Sequence, residues 1–427
     1  MLTPQPAGPY GRRDLLRTIG YTSALGTVAA CGTSTAPTPP VATSIPTPAP
    51  VPATSAAAPA VAPTARPART PETRGLRIGY LPVTDATPLL VAHQQGLFGA
   101  EGLEPERPTL FRSWAQIAEA FQARQVDVAH LLMPAAIWMR FGQNFPVKVV
   151  AWNHTDGSAL TVAKNIDSLG DLAGKTIGIP FWYSIHNLVV QLLVRTAGLK
   201  PILTGDPDAG ARTVKLLVVP PADMPPALAA GTIAGYIVAD PFNSVAEVQG
   251  IGKVLRFTGD AWLNHACCVT IVHEDAARDK PGWTQAVVNG LARAQLFARE
   301  NRKETARILS KEGGDYLPQP LPAIERSLTA YSRDEYGATK AIKHPEWANH
   351  RIDFQPFPFP SYTEELVRLL RETVVDGDAS FLKTLDPSQA HTTLVDDRFA
   401  RAAIASAGGP ARFGLPESLS RIERVVP

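Results

Sequence analysis

The thiol of Cys31 sits among neighbours that prescribe a reaction. It closes Val28-Ala29-Ala30-Cys31, and small residues ahead of a cysteine suit a peptidase that cuts before it and leaves the thiol to take up a diacylglyceryl group. The tetrapeptide has the form of a bacterial lipobox. It ends a mildly apolar run, Thr18 to Ala30, behind Gly11-Arg12-Arg13-Asp14-Leu15-Leu16, which has the form of a twin-arginine export signal. The expectation is an exported chain anchored to a membrane through lipidated Cys31. Two or more acyl chains are needed for durable attachment, since each buried CH2 adds only about 0.8 kcal/mol. The apolar run is too short and too rich in Gly, Ser and Thr to span a bilayer.

The other two cysteines, Cys267 and Cys268, are adjacent in the apolar run from His265 to Val272, which reads as a buried strand. Neighbouring strand side chains point to opposite faces, so a disulfide between them would be strained. They are expected as core thiols rather than a metal or redox pair. His154, His186, His265 and Asp156 are metal-ligand types, but no HxxxH, CxxC or calcium-loop spacing is present. No metal and no cofactor are expected.

Residues 1–31 thus read as the export signal, and residues 32–75 as a linker. From Thr33 to Pro71 the chain is almost entirely Ala, Pro, Thr, Ser and Val, a composition that favours extended polyproline II over a packed core. At about 3.1 Å per residue such a spacer could hold a folded body on the order of 100 Å from the membrane. The 41 Lys and Arg nearly balance the 39 Asp and Glu, a formal net charge of +2. Their scatter lacks the footprint of a nucleic-acid binder.

The body beyond Leu76 is long enough for two lobes. Strand character at Leu76–Leu81, Glu104–Leu110, Val126–Leu132, Pro146–Trp152 and Ala159–Ala163 is interleaved with helices over Thr87–Gly96 and Trp114–Ala123, the latter capped by Ser113. A second set follows: strands Thr176–Ile179, Val214–Val219 and Gly235–Ala239, with helices over Ser184–Ala197 and Ala222–Ala230. From Trp283 onward the pattern is mostly helical, with a Pro-broken segment at Gln355–Pro360. This alternation predicts an α/β fold, with mainly parallel sheets and helices on both faces. Ligands of such sheets sit outside the carboxyl ends of the strands.

Residues 76–103, LRIGYLPVTDATPLLVAHQQGLFGAEGL, resemble the opening of solute-binding proteins of ABC importers in the nitrate/sulfonate/bicarbonate group, which includes pyrimidine-precursor binders. Similar matches occur at Ser113-Trp114, Leu132-Met133-Pro134, Asp171–Gly178, Val219–Pro225 and Asp240-Pro241-Phe242-Asn243. The resemblance implies a two-lobed clamshell of the type II periplasmic-binding-protein kind. Residues 76–163 and 267–427 would form lobe 1 and residues 164–266 lobe 2. It also implies a monomer outside the cytoplasmic membrane or in the periplasm, partnered by a permease and its ATPase, that binds a small solute and is not an enzyme. The rival reading is an enzyme on the same scaffold, similar to a thiamine-pyrimidine synthase or a dehydratase of menaquinone synthesis.

The family pattern places Thr84, Asp85, Trp114, Asn153, His154, Ser158, Trp182, Tyr183, Ser184, His186, Asp240, Asn243, Trp262 and His265 at the ligand. Three departures stand out. Ser158 replaces an amide side chain, Tyr183 and Ser184 replace two glycines, and Leu263 stands where a lysine is expected after Trp262. Without that cation, and unless His154, His186 or His265 supplies the charge, a small organic anion is favoured over nitrate, with a neutral heteroaromatic precursor as the alternative. Structural roles compete at several positions: Asp85 as N-cap of a helix from Ala86, Asp240 and Asn243 as turn and cap, Trp152, Trp182 and Tyr183 as packing, and His186 bonded to backbone.

Overall fold

Apolar runs rich in Val, Ile and Leu form two sheets. The first has five strands, in the order Thr109–Leu110, Ile78–Tyr80, Val128–Leu132, Cys268–His273, Val147–Trp152. The second has six, in the order Lys200–Ile202, Thr213–Val218, Lys175–Ile179, Gly235–Ala239, Ser158–Val162, Lys253–Phe257. Central strands such as Val128–Leu132 and Gly235–Ala239 are buried at every residue, as strands covered on both faces must be. The computed structural model describes residues 71–329, 331–347 and 350–427. The export signal, Cys31 and nearly all of the expected linker lie outside them. No described helix is long and apolar enough to cross a membrane.

The sheets are mainly parallel, as expected, with one reversed strand in each. Cys268–His273 runs antiparallel to both of its neighbours, and so does Ser158–Val162. Both are crossing strands. The chain leaves the first sheet at Trp152, at the carboxyl end of a strand, and enters the second from the same side, so its direction is reversed. The crossing therefore falls at residues 153–157. Ser158–Val162, expected in lobe 1, pairs with Gly235–Ala239 in the second sheet.

Residues 267–427 do not all pack with the first sheet either. The rings of Tyr331 and Tyr336 lie 5.2 and 4.7 Å from Phe257, in a cluster with Ala159, Val254, Ala341 and Ile342 that covers the second sheet. The body also begins before Leu76. The Glu72 carboxylate accepts hydrogen bonds from Gly282 N (2.9 Å) and Trp283 N (2.8 Å), satisfying free amides at the start of the helix Pro281–Glu300.

Local signals position the site. Ser113 Oγ accepts from Gln116 N at 3.3 Å and starts the helix Trp114–Gln122; Ser184 Oγ accepts from Asn187 N at 3.0 Å and starts Ile185–Thr196. The Pro-broken segment is a buried strap. Phe354, Phe357 and Phe359 are all in the core, Trp152 N donates to Pro356 O (2.9 Å), and the Phe359 ring meets Trp152 edge-on at 5.6 Å.

Candidate functional site

Side chains from the crossing segments and from the loops beyond the strands converge where the two sheets meet. Asp85 follows the strand Ile78–Tyr80 and lies in a 3-10 turn, Thr84–Ala86, so it does not cap the next helix, whose N-cap is Ala86. Its Oδ2 faces His154 Nε2 at 3.0 Å, and both side chains are fully buried. Asn153 holds this pair in place. Its Nδ2 donates to Asp85 O (3.3 Å), and its Oδ1 accepts from Thr270 Oγ1 (2.5 Å). Thr84 ties the sheets together, its N and Oγ1 donating to Asp240 O at 2.8 and 3.0 Å.

The second sheet contributes Ser158 and His186, whose Oγ and Nε2 lie 2.9 Å apart, with Cys267 Sγ 3.8 Å from the same nitrogen. Cys268 Sγ is 4.0 Å from Cys267 Sγ. His265 Nε2 meets Thr258 Oγ1 at 2.9 Å. Because that hydroxyl donates to Ser158 O (3.0 Å), the histidine is the donor to it, which leaves its Nδ1 as an acceptor. His130 Nε2 accepts from Leu81 N (2.8 Å), so its proton sits on Nδ1; its ring lies 5.2 Å from that of Trp114.

The cluster is rich in unmet hydrogen-bonding capacity. The indole N–H of Trp114, Oδ1 of Asp85 and Nδ1 of His130, His154, His186 and His265 are buried, and no described residue hydrogen-bonds them. An unmet buried polar group costs about 1–3 kcal/mol, so such a concentration marks a surface shaped for a further partner.

Electrostatics divide the imidazoles. Burial pushes His130 and His265 down to about 3, so both are neutral at pH 7. Burial acts on His154 in the same direction, but the Asp85 carboxylate overrides it and raises the pKa to about 10. Asp85 loses charge stability by burial and regains more from His154, which holds it below the usual carboxylate range. Of the thiols, Cys268 is raised by burial; Cys267 is lowered because the Cys268 hydrogen bond and the His186 field outweigh its own burial.

Six of the expected residues are occupied elsewhere. The Asp240 carboxylate is paired with buried Arg351 at 2.5 and 3.0 Å, and its Oδ1 also accepts from Ser244 N (3.3 Å) in the first turn of the helix Phe242–Val248, in keeping with the capping role; Arg351 also reaches Glu247 at 2.9 Å. Asn243 accepts from Thr161 Oγ1 (2.8 Å) and donates to Val238 O (2.7 Å), within its own sheet. Tyr183 stacks on Trp138 at 5.4 Å and donates to Asp378 O. Ser184 is a helix cap, and half-buried Trp182 packs against the core, its carbonyl accepting from Asn187 Nδ2. Trp262 donates its indole N–H to Glu423 Oε2 (2.8 Å) and supports the C-terminal segment.

Sequence reasoning missed His130, Thr258 and both thiols as site members. His130 did carry a signal, a lone imidazole inside the apolar strand Val128–Leu132. Asp85, His154, Cys267 and Cys268 together form the metal-compatible set among the described residues, and both cysteines are free thiols buried in the core, as expected of the pair. Two surface grooves, one beside Arg77, Asp127 and Trp283 and another beside Pro225, Phe242 and Gln319, do not reach this cluster.

Comparison with known proteins gives the fold a family. The pattern of the NMT1-like family matches residues 69–310. The nitrate/nitrite binding protein NrtA of Nostoc sp. is 28% identical over 262 residues, covering 56% of this chain and 58% of that one. The bicarbonate transport ATP-binding protein CmpC of Synechocystis sp. is 27% identical over 316 residues, 69% of this chain and 45% of that one. The chain spans about half the length of the curated relatives it matches. The crystal structure of the periplasmic nitrate-binding protein NrtA from Synechocystis superimposes with a TM-score of 0.67 at 20% identity, over 83% of this chain and 94% of that one. The fold is that of the periplasmic binding proteins.

Proposed function

Because this chain belongs to the NMT1-like family, we propose that it is the extracytoplasmic solute-binding protein of an ABC importer. In this reading it is a monomer exported by a twin-arginine signal and lipidated at Cys31. It captures one small solute between its lobes and delivers it chemically unchanged to a permease driven by an ATPase. The observation that carries this reading is the set of buried, unpartnered polar atoms supplied by both sheets at Trp114, Asp85, His130, His154, His186 and His265. A solute that satisfies groups on both sides binds the closed form better than an open one, and that difference drives closure. Only the closed form then presents a joint surface to the permease.

The solute is a small organic anion rather than nitrate. Charged His154 already faces Asp85, and Arg351 already faces Asp240 and Glu247. A carboxylate or sulfonate gains apolar contact with Trp114 in addition to hydrogen bonds from neutral N–H donors, a contact that nitrate cannot offer. A neutral heteroaromatic precursor is the second reading. It is favoured by the mixture of ring donors, such as His130 Nδ1, and ring acceptors, such as His265 Nδ1, beside the indole.

Calorimetric titration of the full-length chain with nitrate, bicarbonate, small sulfonates, carboxylates and pyrimidines tests this. One-to-one binding of an organic anion, compaction in solution scattering and recovery of the compound intact are expected. Tight nitrate binding overturns the solute assignment, and chemical conversion of the compound overturns the transport reading.

A further inference from the structure

We propose that Asp85, His154, Cys267 and Cys268 form a binding site for one thiophilic divalent cation of the zinc class. One ligand atom from each residue lies within 4.8 Å of the other three, and all four residues are fully buried. A tetrahedral zinc shell, with Zn–N about 2.0 Å and Zn–S about 2.3 Å, has edges of roughly 3.3 to 3.8 Å. The two sulfurs are 4.0 Å apart, and the carboxylate oxygen and imidazole nitrogen 3.0 Å apart. Rotamer adjustments of about 1 Å or less therefore close the shell. Two thiols and an imidazole select a soft or borderline cation over calcium or magnesium, which take all-oxygen sets.

Two further observations point to a cation here. His154 Nε2 faces the Asp85 carboxylate oxygen at 3.0 Å and the Cys268 N–H at 3.2 Å. One neighbour calls for a proton on that nitrogen and the other for a lone pair, so no single protonation state suits both. Asp85 Oδ1 is buried with no described hydrogen-bond partner. The scaffold around the ligands is already set: Asn153 Nδ2 donates to Asp85 O, Asn153 N donates to Cys268 O (3.1 Å), and Met133 N donates to Cys267 O (3.0 Å). Such outer partners fix ligand direction before metal arrives. On binding, the two thiol protons and the imidazolium proton of His154 pass to solvent, and both sulfurs coordinate as thiolates beside a neutral imidazole. The cluster shares Asp85 and His154 with the proposed solute site, so the metal titration is run without solute, and its failure leaves the solute reading standing.

The test uses the full-length chain, reduced and stripped with a chelator, then titrated with Zn2+ against a chromophoric competitor and separately with Co2+ followed optically. One equivalent of each metal is expected, with a thiolate-to-cobalt charge-transfer band and protection of both thiols from alkylation by bound Zn2+. Cys267→Ser and His154→Gln are each expected to weaken Zn2+ binding about 100-fold or more. Absence of stoichiometric binding, or binding without the thiolate band, overturns the proposal. If the variants do not fold, as judged by circular dichroism, the alkylation pattern of the unmodified chain decides: thiols equally reactive with and without Zn2+ overturn it.

Discussion

Trp114 shows how one residue can serve both core and ligand. Its ring is buried at the start of the helix Trp114–Gln122, and its indole N–H has no described partner. Trp114→Phe removes that donor and keeps an aromatic ring in place. The expected result is solute binding weaker by about 1–3 kcal/mol with a much smaller change in stability, read by titration calorimetry alongside thermal melting. Equal affinity for the two forms would remove the indole from the site.

His273 offers a separate test of burial. Its ring stacks on Phe121 at 4.1 Å, and burial there pushes its pKa below 6.5. The unfolded chain, with a normal imidazole, then binds protons more readily below about pH 6.5. Stability is therefore intact above that pH and falls as the pH drops through it. His273→Phe keeps the stack without a titrating group, so its melting temperature relative to the unmodified chain is expected to rise between about pH 7.5 and pH 5.5. A constant offset across that range would show that the imidazole does not titrate on unfolding. The lone histidine in an apolar strand was legible in the sequence for His130 and His273 alike. Which of the two faces the site is decided by strands far apart in the chain.

At the scale of elements, caps and apolar runs were the most legible features. Ser113 and Ser184 start helices where their side chains and the following apolar spacing placed them. Ser184 Oγ is engaged as a cap, accepting from Asn187 N. Ser184→Ala is accordingly expected to lower stability by about 1 kcal/mol, measured by urea unfolding, with solute affinity unchanged. A large loss of affinity would return Ser184 to the site. The strand Lys253–Phe257 escaped notice because Lys253 and Arg256 interrupt its apolar residues; buried Arg256 is neutralised by Asp260 at 3.0 Å.

Arg351 escaped for a similar reason. Nothing local distinguishes it from a surface arginine, yet it lies beside Ile352–Asp353, which pair with the crossing residues Thr155–Asp156, and its side chain reaches Asp240 and Glu247. Arg351→Met leaves the buried Asp240 carboxylate without its cation, while Glu247 keeps Arg326 at 3.1 Å. The expected loss is about 3–5 kcal/mol in urea unfolding. A loss below about 1 kcal/mol would mean that the pair contributes no more than a surface contact.

On the scale of the whole molecule, the proposed working form is a body held to a membrane by its first cysteine. Cys31→Ala is expected to move the protein from the membrane fraction to the soluble exported fraction, as read by fractionation and immunoblot. Continued anchoring would rule out lipid attachment at Cys31. The two-lobe organisation was legible from the repeated strand and helix alternation. The crossing at residues 153–157 was not, because Ser158–Val162 has the same apolar composition as a strand of either sheet, and only its pairing with Gly235–Ala239 assigns it.

By itself the chain determined most of the elements, the cap at Ser113, the start of the helix after Ser184 and the class of fold, because each depends on periodicity and composition within a few residues. It also brought Asp85, Trp114, His154, Ser158, His186 and His265 forward as site candidates. Only the tertiary structure decided that Asp240, Asn243 and Trp262 are committed to other partners and that Asp85, His154, Cys267 and Cys268 meet. These groups lie up to 183 positions apart, from Asp85 to Cys268. Whether a buried polar side chain is satisfied or left open is set by which distant strands bring a partner within about 3 Å.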